Sequence, residues 1–189
     1  MRIIAGKLKG FSLHIPKDKI TRPLKDIVRE SIFNLLLHSK KILLQLEQSN
    51  VLDLYAGTGS FGLECLSRRA KSVCFVESRK EAVEILEKNI EKLKLKNKVK
   101  IFFDDVFKII KKKNISESKF DLIFCDPPFK DTNVEKLIEF IFNKNLLSKN
   151  GIIILHRNKV IKEKLPNCIE IVEERTYGIS QIIFGKFLS

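Results

Sequence analysis

Residues 51–62, Val51-Leu52-Asp53-Leu54-Tyr55-Ala56-Gly57-Thr58-Gly59-Ser60-Phe61-Gly62, constrain this chain more than any other stretch. A short apolar run, of strand length, enters a turn carrying two glycines and leaves it as a helix. Glycine accepts positive φ and lets a ligand approach the backbone closely. A strand, a glycine turn and a helix in that order make the first half of a parallel βαβ unit. The alternation continues downstream. Strands are expected at residues 72–76, 99–103, 120–125 and 151–155, and helices at 60–69 and 132–143. Residues 79–95 form an amphipathic helix with Val83, Leu86, Ile90 and Leu93 on one face. Segments 169–174 and 181–187 read as a closing pair joined near Tyr177-Gly178. Right-handed crossovers then give a doubly wound, Rossmann-like α/β domain of about seven mostly parallel strands, the last antiparallel.

Ahead of this domain, Arg2-Ile3-Ile4 and Ser12-Leu13-His14-Ile15 flank a turn between Gly6 and Gly10, a hairpin pattern. Residues 1–22 are expected to form that extension and residues 23–189 the α/β domain. Pro23 opens a helix with Val28, Ile32, Leu35 and Leu36 inward, running with a break to about Leu46. No apolar run approaches the ~20 residues needed to span a bilayer, and the first residues lack a secretion signal, so a cytoplasmic protein is expected. The four cysteines and three histidines are scattered without metal-ligand spacing; no metal is expected. The net charge of +13 favours a polyanionic partner, although a lysine-rich chain acquires such a charge for other reasons too.

Gly57, Gly59 and Gly62 spell GxGxxG, and Glu77 ends the second strand where a ribose-binding acid would stand. That much suits a nicotinamide dinucleotide or S-adenosylmethionine equally. Asp53 separates them: a carboxylate just before the glycines repels a pyrophosphate but suits the ammonium group of a methionine moiety. The candidate cofactor residues are Asp53, Tyr55, Ala56, Gly57, Thr58, Gly59, Glu77, Asp105 and Val106. Asp104 competes with Asp105 for the adenine amino group.

The strand at 120–125 ends in Asp126-Pro127-Pro128-Phe129. Prolines fix φ and donate no N–H, so this turn offers acceptors to an incoming group. An exocyclic amine on a nucleobase has two N–H donors and a lone pair delocalised into the ring. Acceptors at Asp126 and the Pro127 carbonyl orient such an amine toward a methyl donor. Phe129 is placed to stack on the base, which must be unpaired or flipped out of a duplex.

The two motifs together resemble the class I methyltransferases that act on amino groups of bases. Met1-Arg2-Ile3-Ile4-Ala5-Gly6, Lys9-Gly10, Arg22-Pro23, Asp26, Val28-Arg29-Glu30, Phe33-Asn34 and, near the end, Thr176-Tyr177-Gly178 are similar to the RsmD family. Ala5, Lys9 and Leu24 depart from that family's pattern, where glycine, arginine and threonine are usual. The resemblance implies transfer from S-adenosylmethionine to the N2 amine of a guanine in 16S ribosomal RNA, on naked RNA or a partly assembled small subunit. It also implies an RNA grip by Arg2, Lys7, Lys9, Arg22 and Arg29, and a monomer is expected. The competing readings are an amino-methyltransferase of another RNA or DNA base, a nicotinamide-dependent oxidoreductase, and an RNA-binding scaffold without catalysis.

Overall fold

The computed structural model describes residues 1–16, 24–112, 115, 119–161 and 164–188. Seven strands form one sheet in the order β3-β2-β1-β4-β5-β7-β6. They are β1 (Asn50–Leu54), β2 (Ser72–Glu77), β3 (Val99–Phe103), β4 (Phe120–Cys125), β5 (Leu147–Asn158), β6 (Ile169–Tyr177) and β7 (Ser180–Phe187). The first five are parallel, and β7 pairs antiparallel with both β5 and β6. The last strand in sequence is therefore the one that runs against the rest. Chain direction along the sheet reverses between β1 and β4, the switch point where open α/β sheets bind ligands.

Both faces are covered. Helices α1 (Asp26–His38), α2 (Ser60–Ser67) and α3 (Lys80–Lys92) lie on one face. Helices α4 (Val106–Lys111) and α5 (Val134–Asn143) lie on the other. The expected apolar stripe of α3 is the buried one, since Val83, Leu86, Ile90 and Leu93 all face the core. On the same side Phe61 of α2 stacks between Phe33 of α1 and Phe124 of β4, at centroid distances of 5.1 and 3.9 Å. Such pairs contribute about 0.5–1.5 kcal/mol each beyond their buried area, and they set the floor beneath the glycine turn.

The first helix ends at His38 instead of reaching Leu46. Beyond it Ile42, Leu44 and Leu46 are buried while Leu43 and Gln45 are exposed. That spacing of two belongs to extended chain, not to a helix. Pro23, expected to open α1, lies outside the described residues. The short α4 after β3 was not anticipated; six residues offer too little periodicity to read.

The N-terminal segment forms a small hairpin, bridged between Arg2 and Ser12 and tied by Ile3 N–H to the Phe11 carbonyl at 2.9 Å. It is clamped to α2. The fully buried Glu64 carboxylate accepts the N–H groups of Ile4 at 2.7 Å and Ala5 at 2.9 Å, and the Nε–H of Arg68 at 2.9 Å. A Cβ at Gly6 would lie 2.1 Å from the Ser67 carbonyl oxygen, so only glycine permits this approach. Where the arm leaves, buried Asn89 of α3 accepts the His14 N–H at 2.7 Å and donates to the carbonyls of His14 and Thr58, each at 3.1 Å. Among the described residues no helix is long and apolar enough to cross a membrane.

Candidate active site

A cleft of about 560 Å³ opens at the switch point, within the range usual for small-molecule sites. Its walls come from the β1–α2 turn, the end of β2, the start of α4 and the turn after β4. Seven of the nine candidate cofactor residues (Asp53, Tyr55, Ala56, Gly57, Thr58, Glu77 and Asp105) and the Asp126-Pro127-Pro128-Phe129 turn therefore meet in one cavity, whereas Gly59 and Val106 do not line it.

Asp53 is 1% exposed and lines the cleft. One oxygen accepts the Gly62 N–H at 3.0 Å, in the first turn of α2. This contact uses the helix terminus that a dinucleotide pyrophosphate would take. Burial pushes the Asp53 carboxyl well above the usual carboxylate range; the Gly62 N–H works against the shift, and Asp126 and Glu77 add to it. Tyr55 turns the chain with a left-handed backbone at φ 59°, and its hydroxyl donates to Asp131 at 3.4 Å. Burial first, and the Asp131 carboxylate second, push that phenol upward. Gly59 caps α2 at φ 80°, with Leu86 filling the space beside its Cα.

The Glu77 carboxylate accepts the Gly57 N–H at 2.8 Å, Ser78 N–H at 3.0 Å and Arg79 N–H at 2.9 Å. These bonds lock the carboxylate beside the turn. Asp105 caps α4, accepting from Phe107 at 3.0 Å and Lys108 at 3.2 Å, and lines the cleft. Asp104 instead accepts the Asp105 N–H at 2.8 Å and pairs with Lys108 and Lys112; the N–H first and the lysines after it hold its carboxyl below the usual range. Between the two, Asp105 is the one that faces the cavity. Val106 is buried behind it, and its side chain is not part of the lining.

Asp126 also faces the cleft, its side chain 23% exposed, with Oδ1 2.8 Å from His156 Nδ1. Pro127, Pro128 and Phe129 complete that wall. Two neighbours on β5, unnoticed in the sequence, hold this turn. Arg157, 1% exposed, donates to the carbonyls of Pro128 at 2.9 Å, Phe129 at 3.3 Å and Asp131 at 2.7 Å. Its contact with the Pro127 carbonyl is longer, at 3.5 Å, and uses one of that oxygen's two lone pairs. His156 meets Phe129 edge-on, with ring centroids 5.5 Å apart. The signal available beforehand was a His-Arg pair ending an apolar strand, which marks nothing until the strand's neighbours are known.

The basic residues divide. Arg2, Lys7 and Lys9 are exposed on the N-terminal hairpin. Arg22 lies outside the described residues. Arg29 does not reach the surface: it is fully buried, donating to the Arg2 carbonyl at 2.5 Å, Asp26 at 2.9 Å and the Ser60 carbonyl at 3.4 Å. A guanidinium enclosed this way ties α1 to the hairpin and to the start of α2, so the expected phosphate contact by Arg29 is corrected to a structural role. Burial lowers its pKa, against the pull of Asp26 and Glu64.

A family model described as "Conserved hypothetical protein 95" matches residues 1–186. Ribosomal RNA small subunit methyltransferase D of Haemophilus influenzae is 33% identical over 179 residues, covering 95% of this chain and 90% of that protein. The chain belongs to the RsmD family. A second RsmD-family relative, from Buchnera aphidicola subsp. Baizongia pistaciae, bears the same name and is 32% identical over 86% of this chain and 79% of its own length. A crystal structure of a candidate methylase from Haemophilus influenzae is 30% identical, covers 100% of this chain and 98% of that one, and superposes with a TM-score of 0.79. The RsmD assignment thus agrees in sequence and in fold over nearly the full length.

Proposed function

We propose that this chain is an S-adenosylmethionine-dependent methyltransferase that modifies the exocyclic N2 amine of a guanine in 16S ribosomal RNA. The observation that carries the reading is the shared cleft. Buried Asp53 and Glu77 stand on its cofactor side, and Asp126 and Pro127 on the other. The residues present fit the cofactor. Asp53 is a buried carboxylate with one oxygen uncommitted among its hydrogen bonds, the chemistry needed for an ammonium group. Glu77 and Asp105 are placed for ribose hydroxyls and an adenine amine. The bound cofactor supplies an electrophilic methyl on a sulfonium sulfur.

The chain's own residues do the rest. Asp126 and the Pro127 carbonyl accept the two amine N–H groups and turn the nitrogen lone pair toward the methyl carbon. Asp126 would take the proton that the amine nitrogen gives up on methylation. Phe129 supports the base from the wall of the cleft. Residues 1–22, with Arg2, Lys7 and Lys9 exposed on the hairpin, form the contact for RNA phosphates. The guanine N2 target follows the family resemblance, because the same acceptors serve any exocyclic amine. The protein is read as a cytoplasmic monomer acting on small-subunit RNA.

Mass-spectrometric mapping of modified nucleosides in ribosomal RNA from cells with and without this protein tests the reading. A single methylated guanine should disappear from 16S RNA on deletion. An unchanged modification map refutes it. In purified protein, Asp126→Ala should abolish transfer while S-adenosylmethionine binding survives; full activity in that variant removes Asp126 from the chemistry.

A further inference from the structure

The Asp126 carboxylate belongs to a three-residue chain of contacts. His156 Nδ1 lies 2.8 Å from Asp126 Oδ1, and His156 Nε2 lies 3.0 Å from Ser180 Oγ. The sheet register produces this line. Cys125 of β4 stands opposite Leu155 of β5, so the next residues, Asp126 and His156, point to the same face. His156 pairs across β5–β7 with Ile182, which puts Ser180, two residues away, on that face as well. His156 and Ser180 are each 7% exposed, whereas the carboxylate reaches the cleft.

Donor and acceptor capacities order the chain. An ionised carboxylate only accepts, so the proton at this contact sits on His156 Nδ1. In the neutral ring Nε2 is then an acceptor, and the Ser180 hydroxyl satisfies it by donating. The carboxylate thereby sets the imidazole tautomer, and the serine satisfies the ring nitrogen that is left. With Oδ1 held by the ring, Oδ2 is the oxygen left for an incoming amine.

We propose that His156 is a positioning residue for methyl transfer, holding Oδ1 of Asp126 through Nδ1–H so that Oδ2 meets the substrate amine, with Ser180 anchoring the far side of the ring. This rests on Asp126 being the amine's acceptor. His156 acts through Asp126, and also braces the Phe129 ring edge-on. Its removal should slow the chemical step without changing how tightly either substrate is held.

The test uses the full chain, unmodified 16S RNA and S-adenosylmethionine, with kcat and both KM values measured for His156→Leu, His156→Asn and His156→Gln. Asparagine presents an amide N–H near the position of Nδ1; glutamine carries its amide farther out, toward Ser180. Loss of the leucine variant's donor should lower kcat by about 10- to 100-fold, the scale of a misplaced catalytic group, with both KM values within about twofold. His156→Asn should recover most of that kcat and His156→Gln should not. A merely structural histidine would leave asparagine and glutamine equally impaired, and that result overturns the proposal, as does a leucine variant with full kcat. The asparagine–glutamine comparison stands even if the leucine variant does not fold. Asp126→Ala run in parallel separates the two levels. Activity in Asp126→Ala refutes the role of Asp126 itself. An inactive Asp126→Ala beside a fully active His156→Leu refutes only the role of His156.

Discussion

Asp53→Asn should make the ligand-free protein more stable and its cofactor binding weaker. Asp53 is 1% exposed, its only hydrogen bond among those resolved is from the Gly62 N–H, and Asp126 and Glu77 add negative charge nearby. Its carboxyl is therefore pushed up in the folded state, so the native protein holds a proton that the unfolded chain has already released. Stability of the ligand-free protein falls as pH rises from the ordinary carboxylate range toward the pKa of buried Asp53, and levels off above it. A cationic ligand reverses the preference. Binding expels that proton, and affinity rises with pH through the same window. Asparagine keeps an acceptor for Gly62 and removes the charge. Relief of the cost of keeping this buried carboxyl protonated is worth about 1–3 kcal/mol, or roughly 2–12 °C in melting temperature for a chain of this size. Loss of a charge-assisted hydrogen bond to an ammonium costs about 1.5–3 kcal/mol, which is about a 10- to 100-fold rise in Kd. Calorimetric titration of S-adenosylmethionine at several pH values, with thermal melts in its absence, measures both. A variant that binds as tightly as the parent, with the same pH dependence, refutes the assignment of Asp53 to the ammonium group.

Three further outcomes follow from described contacts. Glu64→Gln replaces one acceptor of the hairpin N–H groups with an NH₂, and should cost about 3 kcal/mol; faster amide exchange at Ile4 and Ala5 is the readout, and unchanged protection there would contradict the clamp. Arg157→Lys keeps the charge but loses the planar fork that spans three carbonyls, so kcat should fall by about tenfold or more and stability by about 1–3 kcal/mol, as steady-state kinetics beside thermal melts will tell. Lys7→Ala with Lys9→Ala should weaken RNA binding and reduce the salt dependence of log K by about 2, and an unchanged slope in a binding titration excludes the hairpin from phosphate contact.

The doubly wound sheet was readable because βαβ units write their order into local periodicity. The stripe on α3, the glycine turn and the apolar β4 before Asp126 are all local patterns. Long-range polar contacts are not. Glu64 is the one charged residue of α2 and Asn89 a lone amide on α3, and only tertiary packing reveals that both reach back to the hairpin. Arg29 showed its Asp26 partner through i,i+3 spacing, but not its full enclosure by Arg2 and Ser60. His156 and Arg157 depend on the β4–β5 and β5–β7 registers, which no spacing in the chain encodes. The overextended first helix was an error of period: burial at 42, 44 and 46 alternates by two, and leucine-rich composition masked it.

Five carboxylates, Asp53, Glu77, Asp105, Asp126 and Asp131, border the cleft, while the chain as a whole carries +13. Arg79 is the one basic residue lining the cleft among the described residues, so acidic groups outnumber basic ones there while the reverse holds for the chain. A polynucleotide drawn to the outside finds its phosphates turned away at the mouth, and only an uncharged portion such as a base edge is free to go in.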